Sequence, residues 1–145
     1  MGILEDKANA RQFYKYLSKV YDSINPFIWN AEMRDTALEW LELSDNDRVL
    51  DVGSGTGFGT EGLLEYTPDV HGLDQSIHQM QKAFEKFGRT ETVKFYRGDA
   101  ERLPFQANSF DAVWSSGSIE YWPNPEAALT EFQRVVRPGG AVLVV

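Results

Sequence analysis

The sequence contains no cysteine and only two histidines, His71 and His78. Without cysteine there are no disulfides, no thiolate zinc sites and no Cys nucleophile, and the two histidines stand at no metal-binding spacing, so no metal site is expected. No window approaches the roughly 18 consecutive apolar residues that a membrane-spanning helix needs. The first residues, MGILEDKANARQF, lack the basic-then-apolar order of a signal peptide and carry acids early, so a cytoplasmic location is expected. Cations are also scarce: 14 Lys and Arg stand against 22 Asp and Glu, for a net charge of −8. The basic residues are scattered singly or in pairs, and such a surface repels phosphate backbones, so nucleic acid is not an expected partner.

What is present is a globular chain, 42% apolar and 13% aromatic, which at 145 residues can bury one real core. A single domain over 1–145 is expected, with an N-terminal helical cap over 1–44 and an α/β core over 45–145. The core is organised around residues 49–60, VLDVGSGTGFGT. Val49-Leu50-Asp51-Val52 is short and apolar, as a parallel strand covered on both faces should be. Gly53, Gly55 and Gly57 follow, where a chain without Cβ atoms can turn sharply and let a ligand lie against its backbone. A helix begun there directs free N–H groups at the loop.

Spacing separates the cofactor folds that share such a loop. In the dinucleotide fingerprint G-x-G-x-x-G, with Gly53 and Gly55 first, the third glycine would fall on Phe58. The phosphate-cradling G-x-x-x-x-G-K-[ST] loop needs a Lys, and none lies between Lys19 and Lys82. The remaining pattern is D-x-G-x-G-x-G.

Elsewhere the chain alternates helical and strand-like stretches. Glu5 to Val20 has the spacing of an amphipathic helix, broken at Asn25-Pro26, and Asn30 can cap a second helix, Ala31–Leu43, with Met33, Ala37, Trp40 and Leu41 on one face. After the glycine strand come helix Thr56–Tyr66, strand Val70–Leu73, helix Ile77–Phe87, strands Val93–Tyr96 and Ala112–Ser115, helix Glu126–Val136 and strand Ala141–Val145. This order predicts a doubly wound α/β fold with a parallel sheet. Ligands of such sheets bind beyond the carboxyl ends of the strands. Asp74 stands there, 21 residues after Gly53, at the spacing of a carboxylate that accepts ribose hydroxyls. Asp99 follows the third strand, where a carboxylate can accept from an adenine amine and a backbone N–H can donate to the ring.

The loop resembles the first motif of class I S-adenosylmethionine-dependent methyltransferases, and the segments GDAERLPF (98–105), FDAVWSSGSIEYWPNP (110–125) and RVVRPGG (134–140) resemble their later motifs. More narrowly, NPFIWNAEMRDTAL (25–38), GLDQSIHQM (72–80) and GSIEYWPNP (117–125) are similar to the quinone-ring group, the 2-methyl-6-phytylbenzoquinol methyltransferases and their prokaryotic relatives. The resemblance implies a Rossmann-like class I fold, S-adenosyl-L-methionine as cofactor and a small, lipophilic aromatic acceptor, with peripheral membrane contact through that lipid. Gly53, Gly55 and Gly57 would carry the methionyl and ribose part, with Asp51 ordering the loop and facing the ammonium. Asp74 would hold the ribose, Gln75 would flank the adenine, Asp99 would bind its amine and Ala100 would add a backbone contact. Ser116 and Gly117 would line the methionine arm, and Tyr14 and Tyr21 would close over the cofactor.

Ring methylation is helped by loss of a phenolic proton, and Glu120 and Tyr121 lie on the loop expected to face the acceptor. Glu120 would assist deprotonation, or Tyr121 and Trp122 would stack on the ring. Alternatives are small-molecule O- or N-methylation, an inactive cofactor-binding module and, weakest, a nicotinamide dehydrogenase. Methyltransferases of this type continue beyond a fifth strand, so a sequence ending at Val145 is expected to be a fragment or a cut-down module. Neither histidine is given a catalytic role.

Overall fold

The computed structural model describes residues 31–145. The helices expected between Glu5 and Val20, the Asn30 cap, and Tyr14 and Tyr21 lie outside that range. Within it the order is α1 (Ala31–Glu39), β1 (Val49–Val52), α2 (Phe58–Leu63), β2 (Val70–Asp74), α3 (Ile77–Phe87), β3 (Val93–Arg97), β4 (Phe110–Ser115), a 3-10 turn (Ile119–Tyr121), α4 (Pro125–Val135) and β5 (Val136–Val144). The five strands form one sheet in the order β3-β2-β1-β4-β5, every neighbouring pair parallel. This is the expected doubly wound, Rossmann-like architecture, and the order reverses between β1 and β4.

Alternation along the strands divides the core in two. Leu50, Val52, Leu73 and Val113 point to the face covered by Phe132 and Val135 of α4, while Val49, Val70, Ala112 and Trp114 point to the face covered by Leu63 of α2 and Leu38 of α1. All these side chains are buried. At about 1.5–3 kcal/mol for each large apolar side chain withdrawn from water, the two layers fix the register of the central strands.

Two helices begin on side-chain caps: Ser76 Oγ accepts from the Gln79 amide of α3, and Asn124 Oδ1 accepts from the Ala127 amide of α4, with Pro125 in its first turn. Accordingly α3 has the expected bounds, and α4 is displaced by one residue from Glu126–Val136. β5 begins much earlier than expected, directly after α4. A register irregularity between Phe110 and Ala112 accommodates Pro138-Gly139-Gly140 opposite β4.

The buried face of α1 corrects the sequence reading. Arg34, Ala37, Leu38 and Leu41 are buried, whereas Met33 and Trp40 are 48% and 68% exposed. The cause is α2. A Cβ at Gly62 would meet Arg34 Nε and Leu38 Cδ1 at 2.6 Å, so the bare glycine lets α1 lie against α2 and chooses the face. Met33 and Trp40 instead border an apolar groove with Thr36, Ala37 and Val145.

Candidate functional site

The carboxyl ends of β1, β2, β3 and β4 converge on one edge. There the glycine loop, with Gly53, Gly55 and Gly57 all at positive φ, crosses the end of β2. The Gly53 and Ser54 amides donate to the Leu73 carbonyl at 2.8 and 3.0 Å. The next free donor, the Gly55 amide, reaches Asp74 Oδ2 at 3.0 Å, while Asp74 Oδ1 accepts from the Ser76 amide at 2.8 Å. One carboxylate thus holds both the loop and the start of α3. Gly57 serves as the N-terminal cap of α2 at φ 96°, and a Cβ there would also meet Phe87 Cε2 at 2.6 Å.

Asp51 lies on the same sheet face as Asp74, because it pairs with Gly72 and side chains two residues apart share a face. Its Oδ2 accepts from Thr60 Oγ1 at 2.8 Å, anchoring the first turn of α2 from beneath. Both carboxylates are buried, and among the described residues neither is in an ion pair with a cationic side chain. Burial pushes the Asp51 carboxyl up to about 7, with a contribution from the nearby Asp74 charge and a partial offset from Thr60. Burial likewise raises Asp74 to about 6 against the opposing pull of its backbone donors.

A small pocket between the strand ends is lined by Gly53, Leu73, Asp74, Gln75, Gly98, Ala100 and Trp122. Four expected cofactor residues, Gly53, Asp74, Gln75 and Ala100, therefore meet in it. Trp122, whose sequence position suggests stacking on an acceptor ring, lines this same pocket and sits edge-on to Phe132 at 5.4 Å. Asp99 does not line it: its Oδ1 accepts from the Glu101 amide at 2.9 Å, a turn contact. Gly55, Gly57 and Asp51 are not among the pocket's lining residues. Ser116 and Gly117 follow β4, and the Gly117 amide donates to the Val145 carbonyl at 2.8 Å. Tyr121 is half-buried in the 3-10 turn, whose middle residue is Glu120.

Two hydroxyls went unnoticed in the sequence. Ser115 Oγ donates to the Val52 carbonyl at 2.7 Å and pins the ends of β4 and β1 together. Ser118 is buried against Gly53, where any Cβ on the glycine would collide with it. The signal for both was a run of small polar residues at the end of a strand. His71 is buried between Asp69, 2.8 Å from Nε2, and Tyr96, 3.1 Å from Nδ1, on the opposite sheet face from the carboxylates. Among the described residues there is no metal-holding cluster and no helix long and apolar enough to cross a membrane.

A family model described as a methyltransferase domain matches residues 50–144. The chain is 47% identical over 146 residues to 2-methyl-6-phytyl-1,4-hydroquinone methyltransferase 2, chloroplastic, of Oryza sativa subsp. japonica, covering 98% of this chain and 42% of that protein. It is 34% identical to demethylmenaquinone methyltransferase of Staphylococcus aureus (strain JH9), covering 96% and 61%. A solved structure of Haemonchus contortus phosphoethanolamine N-methyltransferase 2, with phosphomonomethylethanolamine and S-adenosylhomocysteine, superposes with a TM-score of 0.81 at 24% identity, over 94% of this chain and 34% of that one. The chain spans less than half the length of the rice relative.

Proposed function

The chain belongs to the methyltransferase-domain family, and from that premise we propose that it binds S-adenosyl-L-methionine across the glycine loop and methylates a ring carbon of a prenylated hydroquinone. The observation that carries the cofactor is the pair of buried carboxylates, Asp51 and Asp74, flanking the glycine loop, with no cationic side chain among the described residues paired to either. Such a cradle suits a ligand bearing ammonium and sulfonium charge. A pyrophosphate would add like charge to it, which disfavours a nicotinamide dinucleotide, as does Phe58 at the third fingerprint position. The names of the rice and Staphylococcus relatives support a quinone-type acceptor.

When bound, this cofactor supplies an electrophilic methyl group. The chain's own task is to orient and to exclude water, since holding reacting groups in line supplies much of the rate of a displacement. Asp74 and Gln75 hold the ribose and adenine, with Ala100 beneath and Asp99 at the amine. Gly53, Gly55 and Gly57 carry the methionyl arm, which Ser116 and Gly117 line. Tyr14 and Tyr21 complete the cover. Glu120 takes up a phenolic proton, with Tyr121 against the ring. A lipid acceptor would bring this otherwise cytoplasmic chain into surface contact with a membrane, and nucleic acid plays no part.

Calorimetric titration with S-adenosylmethionine and, separately, with NAD tests the cofactor: micromolar binding of the methyl donor alone is expected, and preference for NAD would overturn the reading. Incubation with methyl-labelled donor and a prenylated hydroquinone should then place label on ring carbon; label on oxygen would redirect the proposal to O-methylation. Glu120→Gln should lower turnover with cofactor affinity unchanged. A second reading is a cofactor-binding module without activity. Donor binding without any label transfer would select it.

A further inference from the structure

Asp51 and Asp74 raise a question of charge that the cofactor assignment leaves open. They sit on the same face of adjacent strands, 2% and 3% exposed, and among the described residues each is satisfied by uncharged donors: Thr60 for the first, the Gly55 and Ser76 amides for the second. Several charged groups on the elements packed around them are engaged elsewhere or exposed. Arg34 of α1 is held by Asp35 and Glu61, the latter from α2, and the Arg97 guanidinium of β3 lies on the Gln75 carbonyl. His71 of β2 pairs with Asp69 on the opposite sheet face, His78 of α3 is exposed, and β4 presents Trp114. Two like charges in one buried site without a counter-ion are costly, so a proton on one of them is the cheapest relief when the loop is empty.

A cation placed on the loop offers the same relief without the proton. Resting on the cofactor reading above, we propose that Asp51 and Asp74 form a proton-linked charge selector: the sulfonium donor displaces a proton from the pair to solvent, whereas the thioether product, lacking that charge, displaces less. The selector would favour exchange of spent product for fresh donor, and increasingly so as pH rises through the range where the empty pair holds its proton. The change is a protonation only; no bond other than carboxyl O–H is broken.

The test uses the full chain and two ligands, S-adenosylmethionine and S-adenosylhomocysteine. Calorimetry between pH 5.5 and 7.0, in two buffers of different ionisation enthalpy, counts protons released by each, below the range near 7.7–8.0 where an α-amino group titrates. The donor should release more protons than the product, and the ratio of product to donor Kd should rise about threefold to tenfold per pH unit, the limit set by linkage to a fraction of one proton up to one whole proton. In Asp51→Asn and in Asp74→Asn the ratio should flatten. Equal proton counts for the two ligands, or a pH-independent ratio in the unaltered chain, would overturn the selector while leaving the cofactor assignment standing. Binding of neither ligand at any pH would overturn both.

Discussion

Asp74 Oδ2 lies 3.0 Å from the Gly55 amide nitrogen, so a residue at the end of one strand holds the loop that leaves the next. Replacing Asp74 by Asn keeps the shape but removes the charge, and one oxygen becomes a donor facing another donor. Affinity for S-adenosylmethionine should fall at least tenfold in calorimetry, equivalent to about 1.4 kcal/mol. Undiminished affinity would place the cofactor elsewhere.

Stability should depend on pH in an uncommon direction. Asp51 and Asp74 have folded-state values above those of the unfolded chain, so the folded state binds more protons between about pH 4 and the folded values near 7 and 6. Their contribution to stability is therefore greatest at the acidic end and declines as pH rises through that window. His71 opposes them, because burial lowers its value and stability from that source is lost as pH falls below its unfolded value. The Asp51→Asn variant isolates the carboxylate: melting followed by circular dichroism from pH 5 to 7.5 should show a shallower decline toward neutral pH than the unaltered chain. An identical slope would show that Asp51 carries no such linkage.

Gly57→Ala places a Cβ at a residue with φ 96° and against the Phe87 ring. A loss of about 1–3 kcal/mol is expected from backbone strain alone, read as a lower urea midpoint with unchanged slope. Gly139→Ala, also at positive φ but with its nearest contact at 3.5 Å, should cost less.

Arg34→Met preserves the stem of the side chain and removes hydrogen bonds to the Phe58 carbonyl and to Glu61, together with the guanidinium 4.6 Å above the Phe58 ring. A loss of about 1–3 kcal/mol in urea unfolding is expected, because the carbonyl loses a buried partner. A neutral result would mean that packing of the stem alone holds α1 to α2.

The sheet was legible because each strand is a short apolar run between turn residues, and the loop was legible because three glycines at alternate positions have few other uses. Gln75 and Ala100 are named from the methyltransferase resemblance; Gln75 directly follows β2 and Ala100 lies three residues beyond β3, and both line the pocket. The face of α1 could not be read. Its choice depends on Gly62, a residue in another helix, and a helical wheel that counts Trp40 as apolar cannot know that Arg34 has a carbonyl to reach. The neighbour of Trp122 could not be read either: Phe132 lies edge-on to it only because of the packing of α4. The extent of β5 was hidden because Pro138-Gly139-Gly140 reads as a turn, and only pairing across an irregular register keeps it in the sheet.

The Arg34 contact to Phe58 joins α1 mechanically to the first residue of the helix that leaves the glycine loop. The loop is thus clamped from two sides, by Asp74 at the sheet and by a residue 24 positions upstream of Phe58. A force that shifts α1 is transmitted through one rigid guanidinium to the backbone just beyond Gly57.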